Sequence, residues 1–278
     1  MKPVLVIPSY CRPDGKAIHR CKDLPLTKYL AVREEQVKLY SKWKNHYKLI
    51  KLTDVHDLGE TRAAILVWAK EHGIEWLFMF DDDILKVEKL GKRPDGTYTA
   101  KRIIEGSKTA PSFEMEALKL WYKTAVKYNL SASCPNHRAY DRFHHGELTI
   151  NHSAVMQCFL LHVPDIIAVG NYGSVHKFGV EDYHVQYKLM KNGYLTGKVG
   201  SIGYDVPSVG KGEGGCNASE NPDIIAHYEA YIKAFQDNVD NSSLMGVKRT
   251  KTGIPSLQFN WKEWASIAPQ KHIPLEVR

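Results

Sequence analysis

The sequence predicts an α/β sandwich with a mostly parallel central sheet. Three observations carry that prediction. Short apolar runs recur at 3–9 (PVLVIPS), 47–55 (YKLIKLTDV) and 74–80 (IEWLFMF), and runs of that length fit strands buried on both faces. Stretches with helical spacing lie between and after these runs, and alternation of the two kinds of element defines the class. The chain has 278 residues, 43% of them hydrophobic, which is enough for one large core.

Taken in order, the first run closes at Pro8 and Ser9. EEQVKLYSKWKNHY at 34–47 predicts a helix with Val37, Tyr40 and Lys44 on one face. GETRAAILVWAKEHG at 59–73 predicts the clearest helix. Gly59 opens it, Ala63, Leu66, Val67 and Ala69 line its buried side, and Gly73 closes it. Residues 86–112 are polar, carry a PDG turn at 94–96, and predict a hairpin or flap. SFEMEALKLWYKTAVKYN at 112–129 predicts an amphipathic helix with Met115, Leu118, Tyr122 and Val126 in register.

AVMQCFLLHVPDII at 154–167 is apolar, and EDYHVQYKLMKNG at 181–193 predicts a helix ending at Gly193. GSIGYDVPSVGKGEGGCN at 200–217 begins as a strand and becomes a Gly-rich loop. DIIAHYEAYIKAFQDNV at 223–239 is the last predicted helix. The tail is basic and aromatic with little periodicity. With no repeat and no linker, the expected organisation is one domain over 1–245 and a C-terminal extension over 246–278, packed on or near the active site.

Net charge is +7 and the pI is near 9.0. A basic surface favours a polyanionic partner: nucleic acid, a nucleotide or an acidic membrane face. The five cysteines are scattered without CxxC spacing, which predicts reduced thiols rather than a disulfide frame or zinc site. No apolar run approaches the roughly 20 residues of a membrane span, and the N-terminal patch is short for a signal peptide, so a cytoplasmic location is expected.

The chemistry-bearing feature is FMFDDDIL at 78–85, an apolar strand that stops on Asp81, Asp82 and Asp83. Ligands of open α/β sheets sit outside the carboxyl ends of strands. In extended backbone, residues i and i+2 share a side, so Asp81 and Asp83 are the candidate ligands of a divalent cation. Asp82 then faces the other way, in a structural position. A single Asp there would read as a cap or turn; three in a row repel one another unless a cation offsets them.

Glu181 and Asp182 open a predicted helix, where the dipole alone favours carboxylates; the functional reading is a general base. IPSYCRP shapes a loop at the same sheet edge, with Arg12 facing an anion or only completing a turn. Arg62 can reach a phosphate or face solvent. GKGEGG at 210–215 is neither a Walker motif nor a dinucleotide fingerprint. His137, Arg138, Arg142, His144 and His145 form a basic loop without zinc spacing, readable as an acceptor loop or a solvated surface.

A strand ending in IPSY, a GETR helix, a strand ending in DDD and a later ED helix, in this order over roughly 3–205, resemble the GT-A glycosyltransferases. VIPSYCRPD, the KLIKL strand, RAAILVWA and FMFDDDI are most similar to the TET-associated glycosyltransferases of bacteriophages, which act on hydroxymethylated pyrimidines in DNA. The resemblance implies a GT-A-like, Rossmann-related α/β/α sandwich and a hexosyltransferase. Its donor would be a nucleotide sugar, a UDP-sugar for preference, its metal Mn2+ or Mg2+, and its acceptor 5-hydroxymethylcytosine or a related base in DNA. If phage-encoded, the protein would work in the host cytoplasm.

On this chain the resemblance implies that Pro8, Ser9, Tyr10, Arg12, Arg62, Asp81 and Asp82 border the donor. Asp83 and Asp81 would meet the metal, with Asp205 the nearest third ligand because the usual His is missing from YDVPSVGKG. Asp182, or its neighbour Glu181, would be the catalytic base if the enzyme inverts the anomeric centre, a choice the shared DxD does not fix, and Gln157, Arg142, His145 and Trp264 would meet the acceptor.

Three competing readings remain. A GT-A enzyme of bacterial cell-surface or protein glycan synthesis keeps the fold and changes the acceptor. A nucleotidyltransferase would carry a Gly-rich loop straight after the first strand, where this chain has only Gly15, and late. A non-catalytic nucleic-acid-binding module leaves the aspartates unexplained.

Overall fold

The computed structural model describes residues 2–92, 98–99, 111–137, 147–172, 181–207, 224–237, 239, 242–249 and 255–269. Its centre is a nine-stranded mixed sheet. The strands are β1 (Val4–Pro8), β2 (Lys28–Arg33), β3 (Lys48–Leu52), β4 (Trp76–Phe80), β5 (Lys86–Lys89), β8 (Leu130–His137), β9 (Leu148–Ile150), β10 (Cys158–His162) and β11 (Leu195–Asp205). They lie in the order β3-β2-β1-β4-β10-β8-β11-β5, with β9 paired on β11. Strands β1, β2, β3, β4, β8 and β11 run one way and β5, β9 and β10 the other, so the sheet is mostly parallel. A short pair, β6 (Gly91–Lys92) and β7 (Tyr98–Thr99), follows β5.

Every residue of β4 is buried, which explains why its sequence is a continuous apolar run rather than an alternating one. Its side chains divide between two faces. Phe78 and Phe80 pack against Trp121 of α3 (Pro111–Lys127), in a cluster that also takes Ala17 and Ile18 of α1 (Lys16–Cys21). Leu77 and Met79 pack with Ile65, Leu66 and Ala69 of α2 (Leu58–Glu71), Ile166 of α4 (Val163–Ala168) and Val185 and Leu189 of α5 (Glu181–Lys191). The result is an α/β/α sandwich.

A third core lies on the outer side of α5. Tyr187 and Met190 meet Ile232 and Phe235 of α6 (Ile224–Asp237), Leu257 of the antiparallel pair β12 (Met245–Arg249) and β13 (Pro255–Phe259), and Trp261 and Trp264 of α7 (Trp261–Ile267). The described part of the C-terminal extension therefore has regular structure, where the sequence shows little periodicity. Its aromatic residues find partners on α5 and α6 and on each other, as Phe259 does on Trp261 at 4.3 Å.

Helix α2 begins one residue earlier than expected. Asp57 caps it by accepting the Glu60 N–H (2.7 Å), and Glu60 reaches back to the His56 N–H (2.6 Å), which makes Gly59 an ordinary first-turn residue. At its end, Gly73 sits at φ +65 and Ile74 N–H bonds the Ala69 carbonyl, a left-handed cap that Gly adopts without strain. The buried face is Arg62, Ile65, Leu66 and Ala69; Val67 is exposed. In α3 the buried face runs through Ala117, Leu118, Trp121 and Ala125, leaving Val126 outside.

The expected helix at 34–47 is absent. Two 3-10 turns, Glu34–Gln36 and Ser41–Trp43, stand in its place, preceded by β2, which the sequence reading missed. Tyr40, Trp43 and Tyr47 imitate a helical face because all three are buried. Their polar tips fix the path instead: Trp43 Nε1 donates to the Pro13 carbonyl and Tyr47 Oη to the Ile18 carbonyl, each at 2.6 Å.

Candidate functional site

Strands β1, β4, β8 and β11 end at one edge of the sheet, and antiparallel β10 starts there. That edge collects Ser9, Asp81, His137, Gln157 and Asp205 from separate parts of the chain.

The first group lies between the β1 and β4 loops. Ser9 Oγ donates to Asp82 Oδ2 (2.6 Å) and shares a 2.8 Å bond with Tyr40 Oη; Arg12 Nη1 donates to Asp82 Oδ1 (3.1 Å). Burial raises the Asp82 carboxyl, against the pull of Ser9 and Arg12. Asp82 is thus a buried tie between loops. The Ala17 N–H bonds the Asp82 carbonyl (3.0 Å), and a Cβ on Gly15 would sit 2.8 Å from that same oxygen. A glycine is needed there for close approach. Tyr10 is exposed, with the Arg33 guanidinium 4.2 Å from its ring centroid. Beyond the ends of β2 and β3 opens a cleft of about 480 Å³ lined by Arg33, Glu34, Leu52, Asp54 and His56.

After Phe80 the chain does not stay extended. The Ile84 N–H bonds back to the Asp81 carbonyl (3.2 Å), so residues 81–84 form a turn, and Arg20 Nη1 donates to the Ile84 carbonyl (2.9 Å). Alternation along a strand therefore does not set the directions of the three carboxylates. Asp83 is 42% exposed on its side chain and lies 3.8 Å from Arg12. Partial burial and the neighbouring charges of Asp81 and Asp82 raise its pKa to about 6.

The second group centres on Arg62, only 1% exposed. Its Nη2 donates to Asp81 Oδ1 (2.9 Å), and its Nη1 donates to Glu181 Oε1 (2.5 Å) and to Asp182 Oδ1. The rings of Phe159 and Tyr172 lie 4.9 and 5.9 Å from the guanidinium carbon. Burial opposes its charge, but Asp182, Asp81 and Glu181 outweigh that and hold Arg62 protonated. Burial also pushes the Asp182 carboxyl well above the usual range; Arg62 opposes this, while Glu181 and Asp81 add to it. Arg62 was expected to border the donor. In the structure its guanidinium faces three carboxylates because it occupies the buried stripe of α2.

Gln157 adopts φ +62; its carbonyl accepts the Asp81 N–H (3.1 Å) and its side-chain oxygen accepts from Tyr204 Oη (3.2 Å). It lies beside Asp81, one strand from His137, whose imidazole pKa burial lowers. Asp205 meets the aspartate turn through its backbone carbonyl, which accepts the Leu85 N–H (2.8 Å). Among the described residues no three His, Cys, Asp or Glu side chains converge as a metal cage, so the expected trio of Asp81, Asp83 and Asp205 does not assemble.

Trp264 was expected at the acceptor. It is buried and stacked on Tyr187 (4.8 Å), a core position on the far side of α5. Arg142, His145 and the glycines at 210–215 lie outside the described residues. The sequence reading missed Tyr40 and Tyr204. Tyr40 falls on a face of the expected helix at 34–47, and nothing local marks Tyr204.

No family model matches the sequence, and no curated protein does. Solved structures do match in fold. S. aureus TarS 1-349 in complex with UDP-GlcNAc has a TM-score of 0.52 at 13% identity, over 87% of this chain and 69% of that one. GalNAc-T7 with UDP, GalNAc and Mn2+ has a TM-score of 0.51 at 12% identity, over 84% of this chain and 48% of that one. The chain shares the α/β/α fold of these structures.

Proposed function

We propose that this chain is a metal-dependent glycosyltransferase that moves a sugar from a nucleotide-sugar donor, a UDP-sugar for preference, to an acceptor hydroxyl. The observation that carries this reading is the meeting of Asp81, Glu181 and Asp182 on one buried arginine at the carboxyl edge of a GT-A-like sheet. The fold it shares with structures that hold UDP-GlcNAc, or UDP with GalNAc and Mn2+, supports it.

The residues fit a hard divalent cation. Asp83 and Asp81 offer carboxylate oxygens, and the charge crowding that raises Asp83 is what a cation would relieve. Mn2+ or Mg2+ held there would offset charge on the departing diphosphate. Asp83 and Asp81 would be the protein's ligands to it, with diphosphate oxygens and water completing the shell. Pro8, Ser9, Tyr10 and Arg12 form the loop beside this turn and border the donor.

In the reaction the acceptor oxygen bonds to the anomeric carbon while the bond from that carbon to the diphosphate oxygen breaks. Asp182 takes the proton of the acceptor hydroxyl. Burial raises its carboxyl and the Arg62 guanidinium opposes that rise, keeping available the ionised form that a base requires. Gln157 stands beside the pair and contacts the acceptor.

For the acceptor we carry the reading of 5-hydroxymethylpyrimidine in DNA. The net charge of +7 and the exposed Lys248 and Arg249 of β12 support it. The test is incubation with UDP-sugars, Mn2+ and hydroxymethylated DNA, read by nucleoside mass spectrometry. A glycosylated nucleoside is expected. UDP release without it, together with no salt-dependent DNA binding, would move the acceptor to a glycan; no UDP release from any donor would overturn the enzyme reading.

A further inference from the structure

We infer that Arg62 is a positioning residue that fixes the general base relative to the metal-binding turn and does not bind the donor. This rests on the glycosyltransferase reading above. The geometry is that of a clamp between elements: Arg62 stands on α2, Asp81 ends β4, and Glu181 and Asp182 open α5. One guanidinium nitrogen, Nη2, holds Asp81 at 2.9 Å, and the other, Nη1, holds Glu181 at 2.5 Å together with Asp182. The side chain is 1% exposed and walled by Phe159 and Tyr172, so neither solvent nor a diphosphate has access to it without displacing a carboxylate.

The chemistry of the group explains the choice of residue. A guanidinium is planar, and its two terminal nitrogens address carboxylates on different elements along fixed directions. An ammonium is one point charge and cannot hold both sides at set angles. The separation of Asp81 from Asp182 is therefore set by the width of a single rigid group. Asp81 orients the turn that carries Asp83; Asp182 receives the proton. Misplacing a reacting group by about 1 Å costs on the order of 100-fold in rate.

Two variants of the full chain, Arg62→Lys and Arg62→Gln, test this against wild type. UDP affinity in the presence of Mn2+ is measured by calorimetry, and turnover by UDP release from the UDP-sugar that wild type hydrolyses fastest. We expect UDP affinity within about threefold of wild type and saturated turnover reduced by about 30-fold or more in both variants. In Arg62→Ala, guanidinium ion at millimolar concentration should restore part of the turnover without changing UDP affinity. A tenfold loss of UDP affinity with turnover at saturation preserved would overturn the inference and make Arg62 a donor ligand. Unchanged kinetics, or loss of folded protein in both variants, would assign Arg62 to stability alone and also overturn it. Wild type that neither binds UDP nor releases it would instead overturn the functional reading, which separates the two failures.

Discussion

Arg62 and Glu181 lie 119 residues apart in the chain and 2.5 Å apart in the fold. No local pattern joins them; the sheet does, by bringing the start of α5 over the first turns of α2. Around that contact four charged groups share a volume nearly closed to water. Their balance decides how the site responds to mutation and pH.

Asp182→Asn keeps the shape of the side chain and removes its basicity. Turnover is expected to fall by roughly 100-fold to 10,000-fold, with UDP affinity unchanged within threefold. Initial rates of UDP release beside calorimetric titration with UDP check both halves. Turnover equal to wild type would remove Asp182 from the role of base.

Asp83 carries a sign that can be worked out. Its folded pKa, about 6, lies above its unfolded value near 3.8, so the folded state holds more protons between those limits. The contribution of this group to stability is present at acid pH and lost as pH rises through about 6. Asp83→Asn should therefore raise the metal-free melting temperature at pH 7.5 by about 1–3 °C. It should also abolish the Mn2+-dependent part of the UDP thermal shift. In wild type, Mn2+ affinity should weaken as pH falls below about 6, because the protonated carboxyl no longer binds the cation.

Gly15→Ala tests the tie between α1 and the aspartate turn. Its Cβ would meet the Asp82 carbonyl at 2.8 Å, and backbone must move to admit it. A loss of about 1–3 kcal/mol in urea unfolding is expected, with weaker Mn2+ response because Asp83 shifts with Asp82. An unchanged Mn2+ response would show that the turn is held from elsewhere, as by Arg20 on the Ile84 carbonyl.

Trp264→Ala separates core from acceptor surface. Trp264 is buried on Tyr187, so truncation should cost about 3–5 kcal/mol in denaturant unfolding while leaving UDP affinity within threefold. A stable variant with selectively weakened acceptor use would return Trp264 to the acceptor site.

Much of the sheet was legible in the sequence. Strands β1 and β4 announce themselves as apolar runs because they are buried on both faces, edge strand β3 keeps Ile50 and Leu52 buried beside exposed Lys48 and Lys51, and the aspartates mark the carboxyl edge where the apolar run of β4 stops. Strand β2 was not legible: its apolar part is only YLAV between charged ends. The stretch 34–47 misled because Val37, Tyr40 and Lys44 share the spacing of a helix face, yet the backbone there is irregular and Lys44 is exposed. Arg62 does leave a local signal. With Ile65, Leu66 and Ala69 it completes the i, i+3, i+4, i+7 stripe of α2, and an arginine on a buried stripe calls for carboxylates. Which carboxylates those are is a tertiary fact, as is the left-handed backbone of Gln157 that brings its carbonyl to the Asp81 amide.

The single guanidinium set against three carboxylates also constrains the order in which this site can change over generations. Loss of Arg62 first would strand Asp81, Glu181 and Asp182 together with no counter-charge, a step costly enough for selection to remove. Loss of one carboxylate first leaves a cation that still has two partners. Lineages can therefore leave this arrangement through Glu181, the carboxylate with no step of its own in the proposed reaction, but not through Arg62, and the arginine should outlast that partner.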